Sequence, residues 1–264
     1  VLSGSPAAAG GIGIFDGEVW WELSGAVDST EITFGAWIYL PKVPNGVFPP
    51  SSASMKTIVS TKASGCKVED GSAGWALFVH EWGTTNRQLR LSWTDASSAC
   101  HELFSDSVLV PYEAWTLVGF SLSKEQNRAT MVINNQLSAD TQQNIGKYVI
   151  QGKPHALSDA NIASRTLVPG RKKVFLGAHA PQPRDANHAQ SHVMVGFIGD
   201  ARLLHASAFP TPQDMLKALT DRDPPPTSQL FFSVKFKKGS NPEGLQDGTQ
   251  WQIQRIGGED PEDF

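Results

Sequence analysis

Cysteine, methionine, tyrosine and charge are all scarce in this chain. Its 264 residues include 2 Cys, 4 Met and 3 Tyr, and only 18% of them are charged. The 22 Lys and Arg residues nearly balance the 26 Asp and Glu residues, which leaves a net charge of −4. A nucleic-acid or anionic-lipid surface requires an excess of basic residues, so we expect no nucleic-acid partner. The low charged fraction also argues against a coiled coil.

Long apolar runs are missing as well. No stretch approaches the roughly 18 residues that a membrane span needs, so we expect no membrane span in this segment. Residues 1–11 lack the basic start and the apolar stretch of a signal peptide, and we interpret them as a flexible leader. Residues 257–264 are interpreted as an acidic tail, which leaves one folded domain over residues 12–256. Because the chain has no initiator Met, we expect a mature product or a fragment of a longer protein.

Strand-forming sequence, broken by turn residues, makes up most of the chain. There are 24 Gly and 17 Pro, together with 13 Phe and 8 Trp. Between the turn clusters, apolar and polar residues alternate with a period of two, which is typical of strands with one buried face. The clearest runs are Ile32–Leu40, Thr57–Lys62, Trp75–Glu81, Gln88–Asp95, Trp115–Ser123, Ala129–Ile133, Lys173–Ala178, His192–Leu204 and Leu230–Phe236. Many short strands of this kind predict an all-β fold, a two-sheet antiparallel sandwich or jelly roll.

One short helix is predicted near residues 211–220. Thr211 suits the N-cap, Pro212 the first helical position and Asp214 the first turn. An apolar helical face follows at Met215, Leu216 and Leu219.

The two cysteines can be placed by strand direction. In a meander, the predicted strands 57–62 and 88–95 run the same way, so the loops after them leave the sheet at the same end. Cys66 lies in the first of these loops and Cys100 in the second. We predict a disulfide between them, which implies an extracellular or secretory-pathway location. Two free thiols in a reducing compartment are the alternative.

A series of short motifs follows a recognisable order along the chain. It opens with a Phe-Asp-Gly turn, continues through strands of defined apolar pattern and closes with a strand that precedes the predicted helix. The segments are Phe15–Gly17, Ile32–Ile38, Thr57–Lys62, Gly74–Phe78, Trp115–Leu122, Met131–Asn135, Val174–Gly177 and Gly196–Leu204. Over about residues 12–236, this order resembles the laminin-G-like, concanavalin A-like jelly-roll family of lectins and glucanases.

The resemblance implies two antiparallel sheets, one concave and one convex. Many members of that family bind glycans or proteins, and many carry calcium at the edge of the sandwich. Others are catalytic, so the fold does not decide between these functions.

No catalytic motif stands out. Glycoside hydrolases of this fold carry a Glu-x-Asp-x-x-Glu strand that places two carboxylates on one face, and this chain has no such run. The Arg-rich and Gln-x-His strands of alginate-lyase-like members have no counterpart, and Phe236–Ser240 only partly resembles their last strand. We therefore expect a non-catalytic domain. A divergent polysaccharide lyase or glycoside hydrolase of the same fold is the alternative.

A calcium site depends on the acidic residues near the closing strand. The position that often ligates calcium in that family is Gly199, and Asp200 follows one residue later. Strand alternation would turn Asp200 to the opposite face. Asp200 could still join Asp16, Asp28 and Asp185 in a non-standard site, because calcium binds six to eight oxygen ligands. The alternative is that each of them is an ordinary turn or surface acid.

The long loop 178–191 is one candidate for ligand recognition. It contains Asp185, Asn187 and His188, and polar loops at the edge of a sandwich often carry binding residues. His188 and His192 have the i,i+4 spacing of a helical zinc site, but the prolines at 181 and 183 argue against a helix. We interpret the loop as solvent-exposed.

Trp82 marks the other candidate, at the end of a predicted strand. His80 and Glu81 precede it, and Arg87 ends the polar loop that follows. In a sugar site an aromatic ring covers the apolar face of the pyranose while polar groups bind the hydroxyls. The alternative is that Trp82 only packs between the sheets.

The other tryptophans are mainly assigned to packing. Trp93 and Trp115 align with neighbouring leucines and are predicted to be core residues. Trp20 and Trp21 are adjacent, so one is expected to face inward and the other outward.

These observations predict a non-catalytic recognition domain that binds a glycan or a protein partner. We expect it to be an accessory module of a larger secreted or lumenal protein. A protein–protein scaffold domain within a large intracellular protein is the competing interpretation, and it would leave both cysteines reduced.

Overall fold

Two antiparallel β-sheets form the domain in a computed structural model of the chain. The structure describes residues 13–16, 20–24, 31–42, 55–63, 73–81, 87–94, 98–105, 108–123, 128–133, 147–150, 153–156, 173–179, 192–205, 219, 230–235, 243–245 and 252–256. The strands in these stretches are β1 (Gly13–Asp16), β2 (Trp20–Ser24), β3 (Glu31–Tyr39), β4 (Met55–Ser60), β5 (Trp75–His80), β6 (Gln88–Thr94), β7 (Cys100–Phe104), β8 (Trp115–Ser123), β9 (Arg128–Ile133), β10 (Lys147–Ile150), β11 (Lys153–Ala156), β12 (Lys173–Leu176), β13 (Val195–His205), β14 (Leu230–Lys235), β15 (Glu243–Leu245) and β16 (Gln252–Ile256).

The strands divide between a seven-stranded and a nine-stranded sheet. The first has the order β15-β14-β13-β3-β8-β9, with β1 also paired to β13, and the second has the order β11-β10-β7-β6-β5-β4-β12-β2-β16. Strands distant in sequence therefore become neighbours, as in a jelly roll. The all-β, two-sheet antiparallel fold predicted from the sequence is confirmed.

The hydrophobic core lies between the two sheets. The rings of Trp75 on β5 and Phe120 on β8 meet edge to face across it, with their centroids 5.2 Å apart. Several strands contribute alternate residues to the core, as the period of two predicts. They include Phe34, Ala36 and Ile38 from β3, Trp75, Leu77 and Val79 from β5, and Leu89, Leu91 and Trp93 from β6. We call the side of each sheet that points away from this core its outer face.

A pair of glycines makes room for a helical residue on the outer face of the seven-stranded sheet. Leu219 is helical and buried, and a Cβ on Gly35 would lie 2.6 Å from its Cδ1. Gly119 sits beside Gly35 on the neighbouring strand. The rest of the predicted helix 211–220 lies outside the described residues. Within the described residues, no helix is long and apolar enough to cross a membrane.

The buried face of β8 differs from the sequence-based assignment. Trp115 was predicted to be a core residue in line with Leu117, but Val118, Phe120 and Leu122 supply the core instead. Trp115 is half-buried on the outer face, where it packs on Tyr39 with ring centroids 5.7 Å apart. The prediction failed because Leu117 is also buried, so both faces of β8 are apolar and alternation alone cannot choose between them.

The other tryptophan assignments hold where the structure describes them. Trp93 is part of the core, and of the adjacent pair Trp21 faces the core while Trp20 is half-buried. Trp251 lies outside the described residues.

Cys100 begins β7 and is exposed, and no described cysteine is free. Because Cys66 lies outside the described residues, the Cys66–Cys100 disulfide stays a prediction.

Candidate functional site

The β5–β6 hairpin brings three of the predicted site residues to one end of the nine-stranded sheet. His80 pairs with Gln88 in the antiparallel ladder, so Glu81 and Arg87 flank the connection on either side. Trp82 lies within this connection, outside the described residues. Asp185, Asn187 and His188, in loop 178–191, also lie outside the described residues. The structure therefore joins His80, Glu81 and Arg87 but does not test their association with the rest.

The Glu81 carboxylate is fully engaged inside the protein. Its Oε1 accepts a hydrogen bond of 2.6 Å from the Tyr112 hydroxyl, and its Oε2 lies 2.7 Å from Lys56 Nζ. The Lys56 and Glu81 side chains are only 7% and 12% exposed. Both are on the core side of the sheet, since Lys56 pairs with the core residue Val79. Glu81 is thus placed as a structural group rather than as a free ligand for a sugar.

Arg87 completes this cluster from the other side of Tyr112. Its guanidinium lies 5.0 Å from the centre of the Tyr112 ring, and its Nη1 donates a 3.3 Å hydrogen bond to the Val110 carbonyl. Burial and the hydrogen bond to Glu81 raise the pKa of the Tyr112 hydroxyl, so it stays protonated as a donor. We call Lys56, Glu81, Arg87 and Tyr112 the Glu81 cluster. The contacts of this cluster link Tyr112, in the segment before β8, to the ends of β4, β5 and β6.

A second polar group lies on the outer face of the same sheet. Alternation turns His80, Gln88, Arg90 and Ser92 away from the core, while Leu89 and Leu91 face it. The ladder between β6 and β7 sets Glu102 opposite Ser92 and Phe104 opposite Arg90. We call the set His80, Gln88, Arg90, Ser92, Glu102 and Phe104 the outer-face row.

Arg90 is the centre of the outer-face row. Its Nε and Nη2 donate hydrogen bonds of 3.2 and 2.7 Å to Gln88 Oε1, and its Nη1 donates one of 2.9 Å to Glu102 Oε2. The guanidinium also lies 5.5 Å from the centre of the Phe104 ring. With 21% of the Arg90 and 25% of the Glu102 side chain exposed, both groups remain accessible from solvent.

Burial modifies the acid–base behaviour of the charged groups beside this row. Lys62 donates a 3.0 Å hydrogen bond to Ser92 Oγ. Burial lowers the pKa of the Lys62 amine to about 8, although the negative charge of Glu102 acts to raise it. Burial also raises the pKa of the Glu102 carboxyl, although Arg90 and Lys62 act in the other direction. The favourable charge interactions only partly offset the loss of hydration.

His80 is a neutral member of the row near pH 7. Its half-buried position and the nearby positive charge of Arg90 lower the pKa of its imidazole, and Glu81 offsets this only in part. Its Nδ1 is buried and has no hydrogen-bond partner among the residues that the structure describes. A neutral imidazole donates at one nitrogen and accepts at the other, so the burial of Nδ1 leaves Nε2 as the nitrogen that could contact a hydroxyl ligand.

The histidines at the ends of loop 178–191 pack together. Burial lowers the pKa of the His179 imidazole well below its usual value, and Thr57 Oγ1 lies 2.5 Å from its Nδ1. His192 is 5.0 Å away, ring centre to ring centre. His179 is therefore internal, although we interpreted the loop that it begins as exposed. Within the described stretches no three His, Cys, Asp or Glu residues are grouped to hold a metal ion.

Asp200 occupies a β-bulge, which changes the alternation argument. In the ladder with β3, Gly199 pairs with Trp37 and Ala201 with Ala36, so Asp200 is an extra residue. Strand parity therefore does not carry across it, so the orientation expected for Asp200 from simple alternation stays a prediction. One carboxylate oxygen of Asp200 is buried and has no hydrogen-bond partner in the part of the chain that the structure describes. A single carboxylate does not make a calcium site, and the described residues place no group of three or more His, Cys, Asp or Glu around it.

Sequence reasoning overlooked the centre of the outer-face row. The alternation in Gln88-Leu89-Arg90-Leu91-Ser92 predicts a polar face opposite the core, and that signal was available. Glu102 was missed because β7 was not predicted as a strand: its inward positions are His101 and Leu103, which give no clear apolar alternation.

Comparison with known proteins supports the fold. The chain matches no protein-family model. No curated protein matches it either. Among solved structures, it is similar to a proposed carbohydrate-binding protein from Bacteroides ovatus, at 11% identity and a TM-score of 0.52, over 93% of this chain and 59% of that one. It is also similar to the enzymatically active domain of tailspike protein 2 from bacteriophage CBA120, at 11% identity and a TM-score of 0.51, over 84% of this chain and 29% of that one.

A third similar structure is that of domains LG4-5 of the mouse laminin α1 chain, at 13% identity and a TM-score of 0.45, over 74% of this chain and 42% of that one. The domain has the laminin-G-like, concanavalin A-like jelly-roll fold predicted from the sequence motifs. At these identities the likeness concerns the fold alone, and the chain spans only about three fifths of the length of the Bacteroides protein, at 59%.

Proposed function

We propose that this chain is a non-catalytic recognition domain that binds a glycan through the outer-face row. The observation that carries the proposal is the position of Arg90 and Glu102, which are partly exposed, fixed in orientation and set beside a neutral imidazole. Sugar sites combine a few convergent polar groups with an apolar or aromatic surface. Phe104, which is half-buried beside Arg90, supplies the aromatic part.

The row offers the hydrogen-bonding groups that saccharide hydroxyls require. With its Nδ1 buried, His80 has only its second ring nitrogen left, which donates or accepts according to the tautomer, while Glu102 accepts and Arg90 donates. Since Gln88 and Glu102 already hold Arg90, little side-chain freedom is lost when a ligand arrives. The fold neighbour from Bacteroides ovatus, whose name proposes carbohydrate binding, supports a saccharide as the first ligand class to test.

The cellular setting is part of the same proposal. A Cys66–Cys100 disulfide would suit an extracellular or secretory-pathway location. The chain would then be an accessory module of a larger protein in that compartment. A glycan partner is favoured over a protein partner because the row is mainly polar, and convergent polar groups beside one aromatic ring suit the hydroxyls and apolar face of a sugar.

A glycan array tests the proposal, with His80→Ala as the variant and Lys173→Ala as the matched control. Lys173 is on the same sheet, 49% exposed and paired only with Glu22 in the described structure, so its loss should not affect binding. We expect the wild-type chain and Lys173→Ala to bind one glycan class, and His80→Ala to bind it at least several-fold more weakly with an unchanged melting temperature. No binding across all glycan classes, together with capture of a defined protein, would show that the partner is a protein.

A further inference from the structure

The remaining donors of Arg90 indicate which class of glycan the site takes. We infer that the outer-face row binds an acidic saccharide, whose carboxylate or sulfate group is held by the free edge of the Arg90 guanidinium. This inference rests on the proposed glycan-binding function and specifies its ligand.

The hydrogen bonds of Arg90 leave part of its guanidinium open. An arginine side chain has five N–H groups. Gln88 Oε1 accepts from Nε and Nη2, and Glu102 Oε2 accepts from Nη1, so three of the five are used. One N–H on each terminal nitrogen is left without a partner among the described residues. Both terminal nitrogens therefore keep one donor, and the oxygens of a carboxylate or sulfate accept charge-assisted hydrogen bonds from such donors.

Arg90 is held so that this edge is fixed in place. Gln88 is buried, so its amide oxygen provides a rigid anchor on one side of the guanidinium. The centre of the Phe104 ring lies 5.5 Å from the Arg90 guanidinium, and the ring limits the movement of the guanidinium on another side. A pre-organised guanidinium loses little conformational entropy when an anion binds, which is why arginine is effective at this task.

The charges in and beside the row also favour an anion. Within the row the charges of Arg90 and Glu102 cancel, and the buried Lys62, which donates a hydrogen bond to Ser92, adds one excess positive charge. His80 adds no charge near neutral pH. By contrast, Lys173 on β12 and Glu22 on β2, three and four strands from β6 in the same sheet, form a balanced pair with Nζ and Oε2 2.6 Å apart. The excess charge is partly buried, so salt screens it less than it would screen an open surface.

Calorimetric titration of the full chain with three defined probes tests the inference. The probes are a galacturonate hexasaccharide with carboxylates only, a sulfated dextran oligosaccharide with sulfates only, and neutral cellohexaose. We expect at least one acidic probe to bind about tenfold or more tightly than the neutral one, as a charge-assisted bidentate contact allows. The first two probes distinguish a carboxylate from a sulfate as the recognised group.

Substitutions of Arg90 link the preference to the proposed contact. Arg90→Gln should abolish the acidic preference, whereas Arg90→Lys, which keeps the charge but not the fork, should retain only part of it. Lys173→Gln is the control that removes a positive charge from the same sheet and should leave all three affinities unchanged. If Arg90→Gln does not fold, the partial loss in Arg90→Lys provides the test.

The outcomes separate the inference from the function on which it rests. Equal affinity for acidic and neutral probes, or an acidic preference that survives Arg90→Gln, overturns the inference and leaves glycan binding standing. Absence of binding to all three probes and to every class on the glycan array overturns both.

Discussion

Replacing Glu81 with alanine should strongly destabilise the fold. The substitution removes the carboxylate that accepts a hydrogen bond from Tyr112 and pairs with Lys56 at 2.7 Å. The Lys56 side chain is only 7% exposed, so its charge would remain buried without compensation. Removing one partner of a buried ion pair costs about 3–5 kcal/mol. We expect a loss of this size in the free energy of unfolding.

Urea unfolding followed by tryptophan fluorescence measures this loss, and two further variants identify its cause. Tyr112→Phe removes only the hydroxyl and should cost about 1.5–3 kcal/mol, the range for a hydrogen bond to a charged group. The double variant Lys56→Met with Glu81→Ala should be more stable than Glu81→Ala alone, because the uncompensated charge is gone.

The result bears on function as well as on stability. If Glu81→Ala unfolds at the wild-type urea concentration but loses glycan binding, Glu81 is a ligand-binding group, and our structural assignment of it is refuted. A stability loss with retained binding in the folded fraction is the expected outcome.

Three further predictions concern charge, redox state and metal. Burial lowers the pKa of Lys62 in the folded state to about 8, below its value in the unfolded chain. The folded state should therefore gain up to about 3 kcal/mol of stability as the pH rises from 8 towards 10.5. Unfolding measured across this pH range should show the gain in the wild-type chain and not in Lys62→Gln. Alkylation without reductant should label neither Cys66 nor Cys100, and reduction should lower the free energy of unfolding by about 3–4 kcal/mol; labelling of both thiols before reduction would contradict the disulfide. Calcium should leave the melting temperature unchanged, because Gly199 stands where the resembled family often has a calcium ligand. A rise that a chelator reverses would contradict this expectation.

The fold could be predicted because its strands have one apolar face. β5 and β6 alternate clearly, and Trp75, Leu77 and Leu91 lie in the core as their spacing indicates. β8 was assigned the wrong buried face because Trp115 and Leu117 make its second face apolar too. In β7, a buried position is taken by His101 rather than by an apolar residue, so the alternation of apolar and polar residues is not visible and the strand was missed.

The candidate site was only partly predictable because its contacts join distant segments. The sequence placed His80, Glu81 and Arg87 together, since a hairpin brings neighbouring strand ends to one edge. It could not show that Glu81 is taken by Tyr112, 31 residues away. Nor could it show that Arg90 is held by Glu102, since that contact depends on the register between β6 and β7.

Amide chemical shifts of the labelled chain, recorded during titration with the glycan class identified on the array, test the central claim most directly. We predict that the shift changes concentrate at His80, Arg90 and Glu102 on the outer face of the nine-stranded sheet. The outer face of the seven-stranded sheet, where Tyr39 packs at steep ring angles against Trp115 and Phe197, should be unaffected. Changes concentrated on that second face, with none at Arg90, would contradict the account.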